Sequence, residues 1–345
     1  MHSGRFAAFA WPLAAAILVA ASVGGFSCSR SSGPSRPRVV LYCSVDRVYA
    51  EPILAEYEKR TGVDVLALYD SEDTKTVGLV RRLRAEAKAP AADVFWSNEI
   101  FHTVRLARDG LLAPYAGAEA AGWPQHLKDP RGLWHGFALR ARVIAYHTDR
   151  VKADEAPRRL EDLLDAKWKG RIAMAKPVAG TTQGDVASWF VHYGPQRAGQ
   201  ILCGLKANGV KLAAGNSHAV RMLSEGRADV CLTDTDDVYS GQRNGWPIAF
   251  HYLDQGGAGV LVIPNTAALI GNGPHPEQGR QLMAFLLGGE VERRLAASDS
   301  HNAPVRLDPS EADAKYRIPK PLAIDYAQVA DCLPIAVEKG MEILR

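Results

Sequence analysis

From Val39 onward the chain alternates short runs of β-branched and aromatic residues with longer segments whose apolar positions recur every three or four residues. That pattern predicts βα units with mainly parallel strands. The apolar runs place strands at 39–45, 63–69, 92–97, 137–147, 171–175, 210–214, 229–233, 248–253 and 259–264. Helical spacing falls at 50–61, where Ile53, Leu54 and Tyr57 share one face, and at 74–86, 100–109, 182–193, 218–226 and 236–243. The C-terminal third reads as mostly helical, over 278–289, 291–298 and 326–344. No internal repeat is present.

The first 28 residues differ in kind. Arg5 precedes an uncharged run over 6–23 that contains Pro12 and ends in small residues, the pattern of a cleaved export signal. Gly25-Phe26-Ser27-Cys28 resembles the cleavage and lipidation site of bacterial lipoproteins, with Gly25 where that site usually carries Leu. Cys28 is therefore the candidate lipid anchor; plain secretion is the alternative. Residues 29–38, rich in Ser, Pro, Gly and Arg, have nothing to bury and predict a flexible tether. The 345 residues suggest roughly two domains, and 47% apolar content is enough for a substantial core. A net charge of +3 is too small to make nucleic acid the partner. Cys43, Cys203, Cys231 and Cys332 allow three disulfide pairings and match no metal spacing; Cys43 and Cys231 lie in apolar runs that suit buried thiols equally well.

Candidate chemistry sits at the strand ends, where open α/β sheets bind ligands. Ser44 and Asp46 follow the first strand, the run from Asp70 to Thr76 (with Ser71 and Thr74) the second, and Ser97, Asn98 and Glu99 the third. In the second half Thr181 and Thr182, then Asn216 and Ser217, then Asp234, Asp236 and Asp237 occupy equivalent junctions. Helix capping explains any one junction, since these side chains satisfy free N–H groups. Six junctions in two groups of three predict two facing polar rims, hence a cleft. Arg140 and Arg142 point to one face of the 137–147 strand, which is costly in a buried strand unless something anionic meets them. Ten scattered histidines lack zinc-site spacing, and the tryptophans read as packing residues, with Trp96 placed to line the cleft. No nucleophile elbow, phosphate loop or dinucleotide fingerprint appears.

The blocks RTGVDVLALYDSEDTKTVGLVRRL, ADVFWSNE, LEDLLDAKWKGRIAMAKPVAGTT, LKANGVKLAAGNS, CLTDTDDV and GVLVIPNTAALIGNGPHPEQGRQLMAFLL, in that order, resemble the family 1 extracellular solute-binding proteins of bacterial ABC importers, nearest to the ferric-iron-binding branch. The resemblance implies an α/β, two-lobed periplasmic binding protein of type II, each lobe a mainly parallel sheet flanked by helices. Lobe 1 would take 39–139 and 258–304, and lobe 2 would take 140–257 and 305–345. The crossings would be the Arg140 strand and the stretch 252–263. It implies a monomer without catalysis that captures a small polar ligand for an ABC permease in the cytoplasmic membrane; with the export signal and lipid on Cys28, the chain would be exported to the periplasm or cell envelope and held to a membrane.

In that branch a tyrosine pair after the strand matching DVCLT holds ferric iron beside a bound anion. Here the pair is replaced by Asp236-Asp237, with only Tyr239 close by. Carboxylates are hard oxygen ligands, so Asp236, Asp237, Glu99 and Tyr239 are the candidate ligands for Fe3+. Ser44, Ser71, Thr74, Ser97, Asn98, Arg140, Arg142, Thr181, Thr182, Asn216, Ser217 and Asp234 are the candidates for its anion or another polar ligand. The alternatives are a phosphonate zwitterion such as 2-aminoethylphosphonate, whose ammonium would meet the acids, and an exported hydrolase on the same fold.

Overall fold

Ten strands among the described residues form the frame of the computed structural model, which describes residues 36–71, 74–306 and 316–345. The export signal, Cys28 and most of the tether lie outside that range. The strands are β1 (Arg38–Cys43), β2 (Asp64–Tyr69), β3 (Val94–Ser97), β4 (Leu112–Ala113), β5 (His135–His147), β6 (Ile172–Ala175), β7 (Lys211–Ala213), β8 (Val230–Asp234), β9 (Ile248–Tyr252) and β10 (Val262–Ile270). They run in the order β2-β1-β3-β10-β5-β8-β6-β7, with β4 beside β10 and β9 beside β5.

The 13-residue β5 is the joint. Its first half, to Ala141, pairs antiparallel with β10; its second half, from Arg142, pairs antiparallel with β8 and, from Val143, with β9. On one side β1 lies parallel to β2 and β3, and on the other β6 lies parallel to β7 and β8. Two parallel sheets joined through β5 and β10 make the two lobes.

Ten helices flank the strands: α1 (Arg47–Thr61), α2 (Val77–Ala85), α3 (Phe101–Arg108), α4 (Gly180–His192), α5 (Gly194–Ala207), α6 (Asn216–Ser224), α7 (Thr235–Arg243), α8 (Pro276–Leu286), α9 (Gly289–Ala297) and α10 (Tyr326–Leu344). Helix α1 buries Ile53, Leu54 and Tyr57 as its spacing requires and stops at Gly62, whose φ of 71° suits a residue without a β-carbon. The sequence pattern omits α5, whose start directly after α4 is marked only by Gly194-Pro195. It also sets the last strand too early: 259–261 runs beside residues 320–322, and β10 continues through the small residues Asn265, Thr266, Ala267 and Ala268.

Helix α10 packs on α4, α5 and α3, so it touches both lobes and makes the core continuous on that side. Leu333 on α10 is fully buried, and truncation to Ala would cost roughly 2–5 kcal/mol. Trp96, expected at the cleft, is fully buried and stacks with Phe137 at 6.0 Å; alternation along β3 turns it into the core while Ser97 faces the other way. Cys43, Cys203, Cys231 and Cys332 are all free thiols, two of them buried.

Candidate functional site

Three helices of the second lobe begin where β6, β7 and β8 end. Short connections leave the N-termini of α4, α6 and α7 at one place, lined by Ala179, Gly180, Thr181, Thr182, Gly215, Asn216, Asp234, Asp236 and Asp237. First-turn N–H groups have no partner within their helix and carry the positive end of its dipole, so this wall attracts anions. Capping, the local explanation for these polar residues, does not hold. In this wall the residues at the start positions of α4, α6 and α7 make no side-chain cap bond.

The side chains bond to one another instead. Asp234 accepts from Arg142 at 2.7 Å, from Thr181 and from the Asn216 amide at 3.0 Å, while Thr182 donates to Asn216 Oδ1 at 2.8 Å. The Thr181, Thr182 and Asn216 side chains are thereby spent inside the wall. What they leave facing the cleft is backbone N–H.

Arg140 and Arg142 share a face of β5, as alternation requires, and acids meet both. These acids come from α4, β8 and α7. Arg142 is fully buried between Asp234 and Asp185, the latter at 3.0 Å, and does not line the cleft. Arg142, expected to meet an anionic ligand, is enclosed by these two acids and positions Asp234, while its buried Nη2 has no hydrogen-bond partner. Asp185 lies in the middle of α4, where no sequence signal marked it. Arg140 lines the cleft, pairs with Asp236 at 2.8 Å and donates to the Asn98 carbonyl of the first lobe. Its Nε has no hydrogen-bond partner.

The first lobe contributes Asp46, Lys75 and Asn98. Asn98 Oδ1 accepts from Thr76 at 2.7 Å and Ser44 at 3.2 Å, which turns its amide NH2 group to the cleft. Thr76 pays for this with a φ of 69°, a conformation costing on the order of 1–3 kcal/mol in a β-branched residue. Ser44 and Ser97 are buried and bond each other, Asn98 and the Glu99 N–H, so they hold the rim in shape without lining it. The lobes meet at this site: Gly180, at φ 59°, donates its N–H to the Lys75 carbonyl at 3.2 Å.

Four carboxylates and three cations line the cleft, the cations being Lys75, Arg140 and Lys176. Asp234, Asp236 and Asp237 can each offer an oxygen within 4.8 Å of the others. Burial opposes the charge of Asp234, but the fields of Arg142 and Arg140 overcome it and hold its pKa below the usual value. Burial raises Asp236, with Arg140 pulling it back. Asp237 stands well above the ordinary carboxylate range, through burial and then the fields of Asp236 and Asp234. Its hydrogen bonds come from the hydroxyls of Ser217, at 2.8 Å, and Thr233, at 3.0 Å. The free space between the walls is about 30 Å³, the scale of one or two waters, which suits an ion and a few small groups.

Other candidates fall elsewhere. Glu99 is fully buried, accepts from the N–H groups of Phe101 and His102 at the start of α3, and does not line the cleft. Tyr239 lies one turn past Asp236 and packs against His301 at 4.6 Å and Phe250 at 5.5 Å, away from the cleft lining. Ser71 and Thr74 are exposed and bond each other at 2.7 Å, with Thr74 held by Asp70, which also caps α2 through Leu79 N–H. Asp46 and Lys75 stand among the polar strand ends without an assigned ligand role and Lys176 is missed altogether, since nothing local separates them from capping or solvated charges.

Residues 89–326 match a family described as bacterial extracellular solute-binding protein. The chain is 27% identical to iron uptake protein A1 of Synechocystis sp. over 265 residues, 73% of this chain and 71% of that protein. It is 28% identical over 247 residues, 69% and 70% of the two chains, to a Salmonella typhimurium periplasmic protein named for 2-aminoethylphosphonate binding. The structure of iron-bound HitA from Pseudomonas aeruginosa superposes with a TM-score of 0.77 and 25% identity, over 89% of this chain and 99% of that one.

Proposed function

This chain belongs to the bacterial extracellular solute-binding proteins, and from that premise we propose that it captures ferric iron with a small anion between its lobes and delivers it to an ABC permease. One observation carries the reading: the oxygens of Asp234, Asp236 and Asp237 converge within 4.8 Å beside three helix N-termini. Hard carboxylate oxygens suit a hard trivalent cation. The anion rests on the N–H groups at Thr181 and Asn216, against Arg140 and the Asn98 amide, and balances the charge. The lobes divide at 139/140 and 257/258, with 305–345 in the second, and close on the cargo as a hinge. The chain acts as a monomeric carrier without catalysis. It is exported and held to a membrane by lipid on Cys28; Cys28→Ser moves it to the soluble envelope fraction, and continued membrane association of that variant counts against the anchor.

The test is native mass spectrometry and metal analysis of protein from its own cell envelope, followed by titration of stripped protein with ferric citrate. One equivalent of iron is expected. Because no tyrosine lines the cleft among the described residues, the bound iron lacks the visible colour of phenolate ligation, and a strong phenolate band would refute the donor set. A second reading is favoured by the pairing of Arg140 with Asp236 and of Lys75 with Asp46, which gives the cleft both signs. It is a phosphonate zwitterion whose ammonium meets the acids and whose phosphonate meets the helix termini. Calorimetry with 2-aminoethylphosphonate distinguishes it, since heat of binding there and none with iron would replace the ferric reading.

A further inference from the structure

The acids of the cleft are not equally neutralised. Asp234 has Arg142 and Asp236 has Arg140, each in direct contact at 2.7–2.8 Å. Asp237 is bonded by two hydroxyls, and the cation whose field reaches it belongs to the other lobe: Lys75, which lowers the pKa of Asp237 against the effect of burial. Lys75 is placed with care. Its ammonium is held by Asp46 at 2.5 Å, its side chain is only 16% exposed, and its carbonyl accepts the Gly180 N–H across the seam between the lobes. The ammonium, paired with Asp46, lines the same cleft as Asp234, Asp236 and Asp237, and its charge there acts in the same field as a cargo cation's.

We propose that Lys75 is a tethered competitor for the cargo cation: it bridges the acids of the two lobes until a multivalent ion displaces it, and so sets both the affinity and the specificity of the site. The proposal rests on the ferric reading for the identity of the cargo. A monovalent cation exchanges one charge for one and gains nothing over Lys75. A trivalent ion gains by replacing it, and the freed ammonium, still tethered at the seam, pairs with the anion that accompanies the ion. Without cargo the lysine also offsets the repulsion among Asp46, Asp236 and Asp237 that would push the lobes apart.

The experiment compares wild type, Lys75→Gln and Lys75→Arg in the full chain. Ferric affinity is read by competition with citrate, and the metal-stripped proteins are measured by small-angle scattering. Lys75→Gln is expected to bind ferric iron about tenfold more tightly, the scale of one partly exposed ion pair, and to show a larger radius of gyration when stripped. Lys75→Arg is expected to stay near wild type in both. Equal or weaker iron binding by Lys75→Gln overturns the proposal, because the lysine would then hold the cargo's anion or do nothing. An unchanged radius in the stripped variant also overturns it. If wild type takes up no iron, the ferric reading fails on its own, and the radius of the stripped variant still decides whether Lys75 bridges the lobes.

Discussion

The two lobes carry the same sequence signature, a polar cluster at the end of each of three strands, and use it differently. In the second lobe all three clusters reach one cleft, and their helices start there. In the first lobe most of the polar side chains turn inward: Ser44, Thr76 and Ser97 form a hydroxyl network around Asn98, Glu99 caps α3, and Asp70 caps α2. Among the described residues of the first lobe, Asp46, Lys75 and Asn98 line the ligand side. Polar residues at strand ends therefore mark a binding wall only when their own hydrogen bonds leave charge or backbone N–H unspent. The second lobe keeps a surplus because its acids are held by two arginines of β5 and its helix N-termini stay open. The first lobe spends its polar groups on holding one amide.

The largest expected effect breaks the second lobe's frame. Arg142→Ala leaves Asp234 and Asp185 buried without their counter-charge, and should lower stability by about 3–5 kcal/mol. Melting curves check this, and a variant that melts like wild type would mean that the pairs with Asp234 and Asp185 contribute nothing. Next comes the ligand wall itself. Asp237→Asn keeps the shape but removes a carboxylate, and should weaken ferric binding at least about 100-fold while leaving the melting temperature within a few degrees. Because burial holds Asp237 protonated to higher pH than an ordinary carboxylate, wild-type iron binding should also fall as pH drops, and Asp237→Asn should flatten that dependence.

A smaller effect separates stability from binding in the first lobe. His135 is buried between Tyr115 and Trp123, and burial, then Lys128 and Arg306, push its pKa down to about 4. The unfolded chain takes up this proton near pH 6.5, before the folded one does. Stability is therefore complete above about 6.5 and declines as pH falls toward 4, by about 2 kcal/mol at pH 5. His135→Phe should remove this slope in urea titrations at pH 5 and 7 without changing ligand affinity. The smallest effect is the sharpest test of the contrast between lobes. Ser97→Ala and Glu99→Gln should each cost about 1 kcal/mol of stability and change affinity less than threefold; a tenfold loss in either would place the first lobe's inner network in the binding wall.

Much of this protein was legible in one dimension. Hydrophobic period alone gives the βα order, because a strand buried on both faces needs a continuous apolar run and a flanking helix needs a stripe. The order of family blocks gives the two-lobed fold. Asn98, Thr181, Thr182, Asn216, Asp234, Asp236 and Asp237 were marked by their place at strand ends and Arg140 by sharing a strand face with Arg142, and all of them line the cleft. Local pattern fails where two neighbouring residues of equal polarity point opposite ways, as Ser97 and Asn98 do, or where a partner comes from the middle of a helix, as Asp185 does.

What only the tertiary structure decided is which charge meets which. Arg140 and Arg142 look equivalent in sequence, two residues apart on one face of β5. Yet Arg142 falls where α4 and β8 enclose it and becomes internal, while Arg140, two residues earlier and paired with β10, faces the cleft. Lys75 and Asp46 lie 29 residues apart and meet at 2.5 Å because α1 and the loop before α2 leave the same sheet edge. A sequence records which side chains can be charged. Burial and distance, which set whether a charge is spent on a neighbour or left for a ligand, exist only once the chain has folded.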